Sequence, residues 1–134
     1  MNIIRAFPFL AFVVIAYNGV LFFGNAPLAT IVGHVALPSG AAWNVTAGEV
    51  LLVVALALLL VEIVASGTRM ASGANHLLSL LLLLICVAEF LFVSQCGTGV
   101  FLLITVMTLI DTVAGYTIAV SNARRDLALQ RPRI

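Results

Sequence analysis

Apolar residues in this chain fall into long unbroken runs separated by short polar intervals, a pattern that predicts four helices crossing a lipid bilayer. The runs cover approximately 6–23, 47–65, 75–94 and 99–120, each close to the roughly 20 residues needed to cross about 30 Å of hydrocarbon. The first run follows Arg5, and Pro8 falls in its opening turn, where proline is tolerated. It is longer than the roughly 7 to 15 residue core of a secretory signal, so it is expected to stay as a span. The predicted fold is all-α: residues 1–134 form a single domain, an integral membrane bundle of four transmembrane helices.

The intervals between runs differ in character. Residues 24–45 are polar and glycine-rich, with Asn25, Pro27, His34, Pro38, Ser39, Gly40, Trp43 and Asn44. Within them Leu28, Ile31, Val32 and Val35 recur at helical spacing, which predicts a short interfacial helix between the first two spans, with Trp43 as its anchor at headgroup level. The second span has a sharp start, because Thr46-Ala47-Gly48-Glu49 matches a capping box: threonine at the N-cap and glutamate three residues later, just ahead of an apolar run. Residues 66–73 form a short turn with Gly67, Arg69 and Ser72, and residues 95–98 a tighter one. Residues 121–134 form a basic tail, in which any helix should stop before Pro132.

Composition strengthens this picture. The chain is 63% hydrophobic and 8% charged, against roughly 45 to 50% and about 25% in soluble domains. A net charge of +1, made with six arginines and no lysine, leaves no basic surface of the kind nucleic acid requires. All six arginines fall on one side of a four-span topology, which by the positive-inside rule puts both termini in the cytoplasm. Cys86 and Cys96 stand ten residues apart in one apparent helix, beyond disulfide reach, and form no CxxC motif.

Candidate chemistry rests on three intramembrane carboxylates. Glu62 lies toward the inner end of span two, Glu89 in the outer part of span three and Asp111 near the middle of span four. Each costs up to roughly 2.5 to 3.5 kcal/mol on insertion scales, so each needs protein, water or a proton. Asn18 stands at the depth of Glu89 and is expected to hydrogen-bond it, while Arg69 and His76 are placed to reach Glu62 if the turn folds back. Asp111 has no cationic partner at its depth and is flanked by Thr108 and Thr112, with Tyr116 a turn further on. Acids at staggered depths form either a proton or cation relay or a set of packed, hydrogen-bonded groups. Glu49 belongs to neither, since the capping box accounts for it.

Span four also carries Thr105, Thr108, Thr112, Gly115, Ala119 and Asn122 at steps of three and four, a packing interface of small residues. A stripe in span three, Asn75, Ser79, Leu82, Cys86, Glu89, Val93 and Cys96, is placed to face it. Arg124 and Arg125, just past the span, and Trp43 are expected at the membrane surface. His34 and His76 fall on opposite flanks, so no metal site is expected. Asn44-Val45-Thr46 fits a glycosylation pattern, but Thr46 is used as a cap. No catalytic triad, phosphate loop or zinc motif occurs, so neither an enzyme nor a cofactor is expected.

The stretch Ile110-Asp111-Thr112-Val113-Ala114-Gly115-Tyr116, followed by Arg124-Arg125-Asp126, resembles segments of small bacterial inner-membrane proteins, which implies that membrane as the location. The function that fits these features is a small accessory or structural membrane subunit, in contact with lipid and packing against itself or other membrane subunits. The alternative is a small oligomeric proton- or cation-coupled transporter or channel built on the three carboxylates.

Overall fold

The computed structural model describes residues 7–24, 27–68 and 73–132. Arg5, Asn25, Arg69 and Arg133 lie outside them, as do the side chain of Asn75 and residues 69–72 of the turn expected at 66–73. The elements in chain order are α1 (Leu10–Phe23), β1 (Ile31–Ala36), β2 (Ala42–Thr46), α2 (Ala47–Thr68), α3 (Gly73–Phe92), a 3-10 turn (Ser94–Cys96) and α4 (Gly99–Gln130). Among the described residues two helices, α2 and α4, are long and apolar enough to cross a membrane. At 14 residues α1 is shorter than the run that predicts it; it rises only about 21 Å.

Helix α4 is the central element. In its most apolar window 39% of residues are buried, against 17% in α2. Its inward face, Phe101, Ile104, Thr105, Met107, Thr108, Asp111 and Thr112, advances by one to three residues at a time along one side of the helix. Against it pack Leu10, Val13, Val14 and Tyr17 of α1, Ala55 and Leu59 of α2, and Leu82 and Cys86 of α3. The outer faces of α2 and α3 remain apolar and exposed, Leu60 and Val64 on one and Leu77, Leu81 and Leu84 on the other among them. Helix α4 runs on past the expected end of its apolar run at residue 120, so most of the basic tail is helical, and it ends at Gln130, ahead of Pro132.

The expected interfacial helix is absent, and a two-stranded antiparallel hairpin stands in its place. Thr30, Ile31 and Val32 are β-branched and Gly33 is a poor helix former, so a helix here would be short as well as unfavourable. Pro38-Ser39-Gly40 supplies the turn. The Gly40 N–H donates to the Leu37 carbonyl at 2.9 Å and the Leu37 N–H to the Ala41 carbonyl at 2.9 Å. Gly40 has φ 86°, the left-handed residue that closes a three-residue hairpin loop. A bulge near Val32 shifts the register between the Ile31–Thr46 and Gly33–Val45 pairs.

The extended chain also does something a helix could not. The first N–H groups of any α-helix lack intrahelical acceptors, and here the Ala47 N–H donates to the Thr30 carbonyl at 2.9 Å and the Gly48 N–H to the Leu28 carbonyl at 2.8 Å. A Cβ on Gly48 would stand 3.0 Å from Val100 Cγ2 and 3.3 Å from the Leu28 oxygen, so the absence of a side chain lets this junction close. The capping box forms as the sequence predicts. The Glu49 N–H donates to Thr46 Oγ1 at 3.2 Å, and the Thr46 N–H to Glu49 Oε2 at 2.7 Å. Trp43 Nε1 donates to Glu49 Oε1 at 3.4 Å, tying the hairpin to the start of α2.

Thr46→Ala should therefore lower stability by about 1 kcal/mol and Thr46→Ser by less, since serine keeps the capping oxygen. Thermal unfolding in detergent measures both; equal losses would show that the hydroxyl does not cap α2.

Candidate functional site

The polar residues inside the helical core gather at two levels. The first is at the hairpin end, where α1 and α3 finish and α4 begins. Asn18 Nδ2 donates to both oxygens of Glu89, at 3.1 and 3.0 Å. This joins α1 to α3 across 71 residues of sequence. Cys96 Sγ, fully buried in the 3-10 turn, donates to Asn18 Oδ1 at 3.8 Å, so the amide is used at both ends. Beside it the Tyr17 hydroxyl lies 2.7 Å from Thr98 Oγ1 and donates more weakly to the Gln95 carbonyl at 3.5 Å. Thr98 also caps α4 by accepting the Phe101 N–H at 3.2 Å. The rings of Tyr17 and Phe101 pack with centroids 4.9 Å apart.

The pairing of Asn18 with Glu89 is the one the sequence leads to, from equal depth in two spans. Tyr17, Cys96 and Thr98 complete the cluster and escape a search confined to charged residues. The available signals were the position of Tyr17 beside Asn18 and of Thr98 three residues before Phe101, where a cap belongs. Burial pushes the Cys96 thiol up, with the nearby Glu89 carboxylate adding to the effect. The thiol is therefore protonated at neutral pH, able to donate and slow to react.

The second level follows the seam between α3 and α4. Thr112 Oγ1 donates to the Thr108 carbonyl at 2.8 Å and reaches the Ser79 carbonyl of α3 at 3.3 Å. Asp111 is buried and its carboxyl is hydrogen-bonded by the Ser79 side chain. Thr105 and Thr108 return their hydroxyls to the Phe101 and Thr105 carbonyls, at 2.9 and 2.7 Å. Cys86 is fully buried and hydrogen-bonds Thr108. Ser79, Leu82 and Cys86 thus face α4 as their spacing predicts, whereas Glu89 turns to α1. Gly115 and Ala119, the end of the small-residue stripe, are only half-buried.

The three acids are not brought together. Glu89 lies about 5 Å before the end of α3 and Asp111 about 18 Å into α4, too far apart for a direct hydrogen bond. Glu62 is half-buried on α2, where its backbone carbonyl accepts the Ser66 hydroxyl at 2.8 Å. The expected approach of Arg69 falls outside the described residues. His76 packs instead on the Tyr116 ring, with centroids 5.5 Å apart. His34, far along the chain on the hairpin, is paired with Asn44 through Nδ1 at 2.7 Å. Among the described residues no group of histidine, cysteine and acidic side chains could hold a metal ion. Arg124 and Arg125 are exposed on the extension of α4, and Trp43 is partly exposed on the hairpin.

Two outcomes test the hairpin-end cluster. In a double-mutant cycle, Asn18→Ala and Glu89→Ala should couple by about 0.6 to 2 kcal/mol, because either single change strands a half-buried partner. Asn18→Ala should also speed maleimide labelling of Cys96 while Cys86 stays protected, as read by mass spectrometry of the folded protein. Additive energies and unchanged labelling would mean that the cluster is not a unit.

Set against known proteins, the chain matches no family model, no curated protein and no solved structure.

Proposed function

We propose that this protein is a small accessory or structural subunit of a membrane complex, crossing the bilayer four times with both termini in the cytoplasm. It packs against itself or against a larger membrane protein and performs no catalysis of its own. The observation that carries this reading is where the core polar groups are spent. Both oxygens of Glu89 accept from the Asn18 amide nitrogen, Asp111 is engaged by Ser79, and three threonine hydroxyls of α4 return to carbonyls of their own helix. Groups so engaged hold helices together, whereas a relay requires acids that face water along a shared path.

The four-span arrangement draws on the alternation of the helices. The end of α1, the start of α2, the end of α3 and the start of α4 meet at the hairpin end, so consecutive helices run in opposite directions. With α2 and α4 long enough to span, α1 and α3 lie beside them as the shorter members. Arg124, Arg125 and Arg131 then share the side opposite the hairpin, and positive charge favours the cytoplasm there. The leucine-rich outer face of α3, with Leu77, Leu81 and Leu84 exposed, offers the contact surface for another subunit.

Mild-detergent purification from the native membrane tests the assignment: the subunit reading expects a stable higher-order species, and a monomer that brings nothing with it would count against it. Asp111→Asn should preserve assembly, since it keeps a hydrogen-bonding group of the same shape, and Asp111→Leu should loosen it by about 0.6 to 2 kcal/mol. Proton or cation flux in reconstituted vesicles that disappears in Asp111→Asn, with assembly intact, would favour the transporter instead. Reporter fusions after Ile134 should score cytoplasmic and fusions in the hairpin non-cytoplasmic; a cytoplasmic hairpin would overturn the topology.

A further inference from the structure

We infer that the extension of α4 carries a binding site for the phosphate of an anionic phospholipid, held by Arg124, Arg125 and Ser121. The inference rests on the membrane-spanning reading above. Helix α4 has 32 residues, about 48 Å of rise, whereas the hydrocarbon layer is about 30 Å thick. Counted from Gly99 at the hairpin end, roughly 20 residues bring the helix to the hydrocarbon edge near Thr117 and Val120. The next two turns, carrying Ser121, Arg124 and Arg125, pass through the headgroup layer.

An open groove of about 590 Å³ runs along this stretch, lined by Tyr116, Thr117, Val120, Ser121, Arg124 and Arg125 among others. Its size is within the roughly 300 to 1,000 Å³ of small-molecule sites. Thr117, Ser121 and Arg124 or Arg125 follow at steps of three and four, so they share one face of the helix. Thr117 has turned its hydroxyl to the Val113 carbonyl at 2.9 Å. That leaves the Ser121 hydroxyl, the Tyr116 hydroxyl and the two guanidinium forks as donors. Neither guanidinium has a carboxylate partner among the described residues, and the planar fork suits a phosphate's paired oxygens.

The surroundings favour a lipid over a free phosphate. Toward the hairpin end the same side of α4 continues into exposed apolar residues, Val113 and Ile110. Acyl chains of a lipid whose phosphate sits at Arg124 and Arg125 would lie along them. Arg131 is exposed at the end of α4 and takes no part in lining the groove, which provides an internal control for charge alone.

Native mass spectrometry of the purified full chain, given phosphatidylglycerol and phosphatidylcholine in equal amounts, tests the site. Phosphatidylglycerol should be retained preferentially. Near a membrane surface each arginine is worth roughly fivefold in binding, so Arg124→Gln with Arg125→Gln should lower that retention about 25-fold. Ser121→Leu should lower it severalfold with no change in charge, and Arg131→Gln should have the smallest effect. Protection of Cys96 from maleimide shows that each variant is folded. Equal losses from Arg131→Gln and Arg124→Gln, or no loss from Ser121→Leu, would reduce the effect to general surface charge and overturn the site. Competition by inorganic phosphate at the same concentration would overturn the lipid assignment. Release of the parent chain from membranes by alkaline carbonate would overturn the spanning reading and the site with it. Loss of lipid preference with carbonate resistance intact overturns the site alone.

Discussion

A carboxylate half-buried among apolar helices is partly cut off from water, so donors from the protein make up what the solvent cannot supply. The Asn18 amide nitrogen serves both oxygens of Glu89, and much of the hairpin end is organised around that pair. With its nitrogen at the acid, the amide turns its oxygen to the Cys96 thiol of the 3-10 turn. That turn sets where α4 begins, with Thr98 as its cap, and the Thr98 hydroxyl in turn meets Tyr17 of α1. Helix α1 makes little other contact with α3, so the polar cluster takes the place of apolar packing in holding it to that side. Removal of Asn18 takes a partner from both the half-buried Glu89 carboxylate and the buried Cys96 thiol.

The same constraint governs α4 differently. Its threonines solve the problem locally, each returning its hydroxyl to a carbonyl three or four residues back. A helix face made this way is polar by residue type but apolar in what it presents. Thr105 can then be buried as an alanine or valine would be, while Thr108 meets Cys86 of α3 and Asp111 and Thr112 meet Ser79. The seam of small side chains allows the close approach that lets a single serine, Ser79, serve both residues, through its side chain and its carbonyl.

The parts of this architecture that were legible in the sequence are those fixed by local spacing. The capping box at Thr46 and Glu49, the end of α4 ahead of Pro132 and the runs that become α2 and α4 depend on neighbours a few residues away. The Asn18 and Glu89 pair was legible for another reason: a shared depth in two apolar runs restricts partners almost as tightly as adjacency does. The hairpin was missed because Leu28, Ile31, Val32 and Val35 fit a helical repeat over so few residues that the period decides nothing. Pro38-Ser39-Gly40 between two β-branched stretches was the better signal. What spacing could not reveal is that an extended chain would offer the Leu28 and Thr30 carbonyls to the first N–H groups of α2. Residues 24–45 thereby become part of the helix start instead of a linker lying on a surface.

The hairpin and the extension of α4 give the two ends of the molecule opposite chemistry. From Ile31 to Thr46 there is no charged residue, although both strands have an open edge and Ile31, Val32, Val35 and Trp43 are exposed. Open edges in water are ordinarily protected by charge, and this hairpin carries instead Trp43, a residue type enriched at membrane–water interfaces. At the other end, Arg124, Arg125 and Arg131 extend well beyond the apolar part of α4. Between these ends the core acids are engaged within the chain, and the apolar outer faces of α2 and α3 are left open. A protein so built leaves its apolar surface on the outside of α2 and α3, and its polar interior helps to hold the four helices in register.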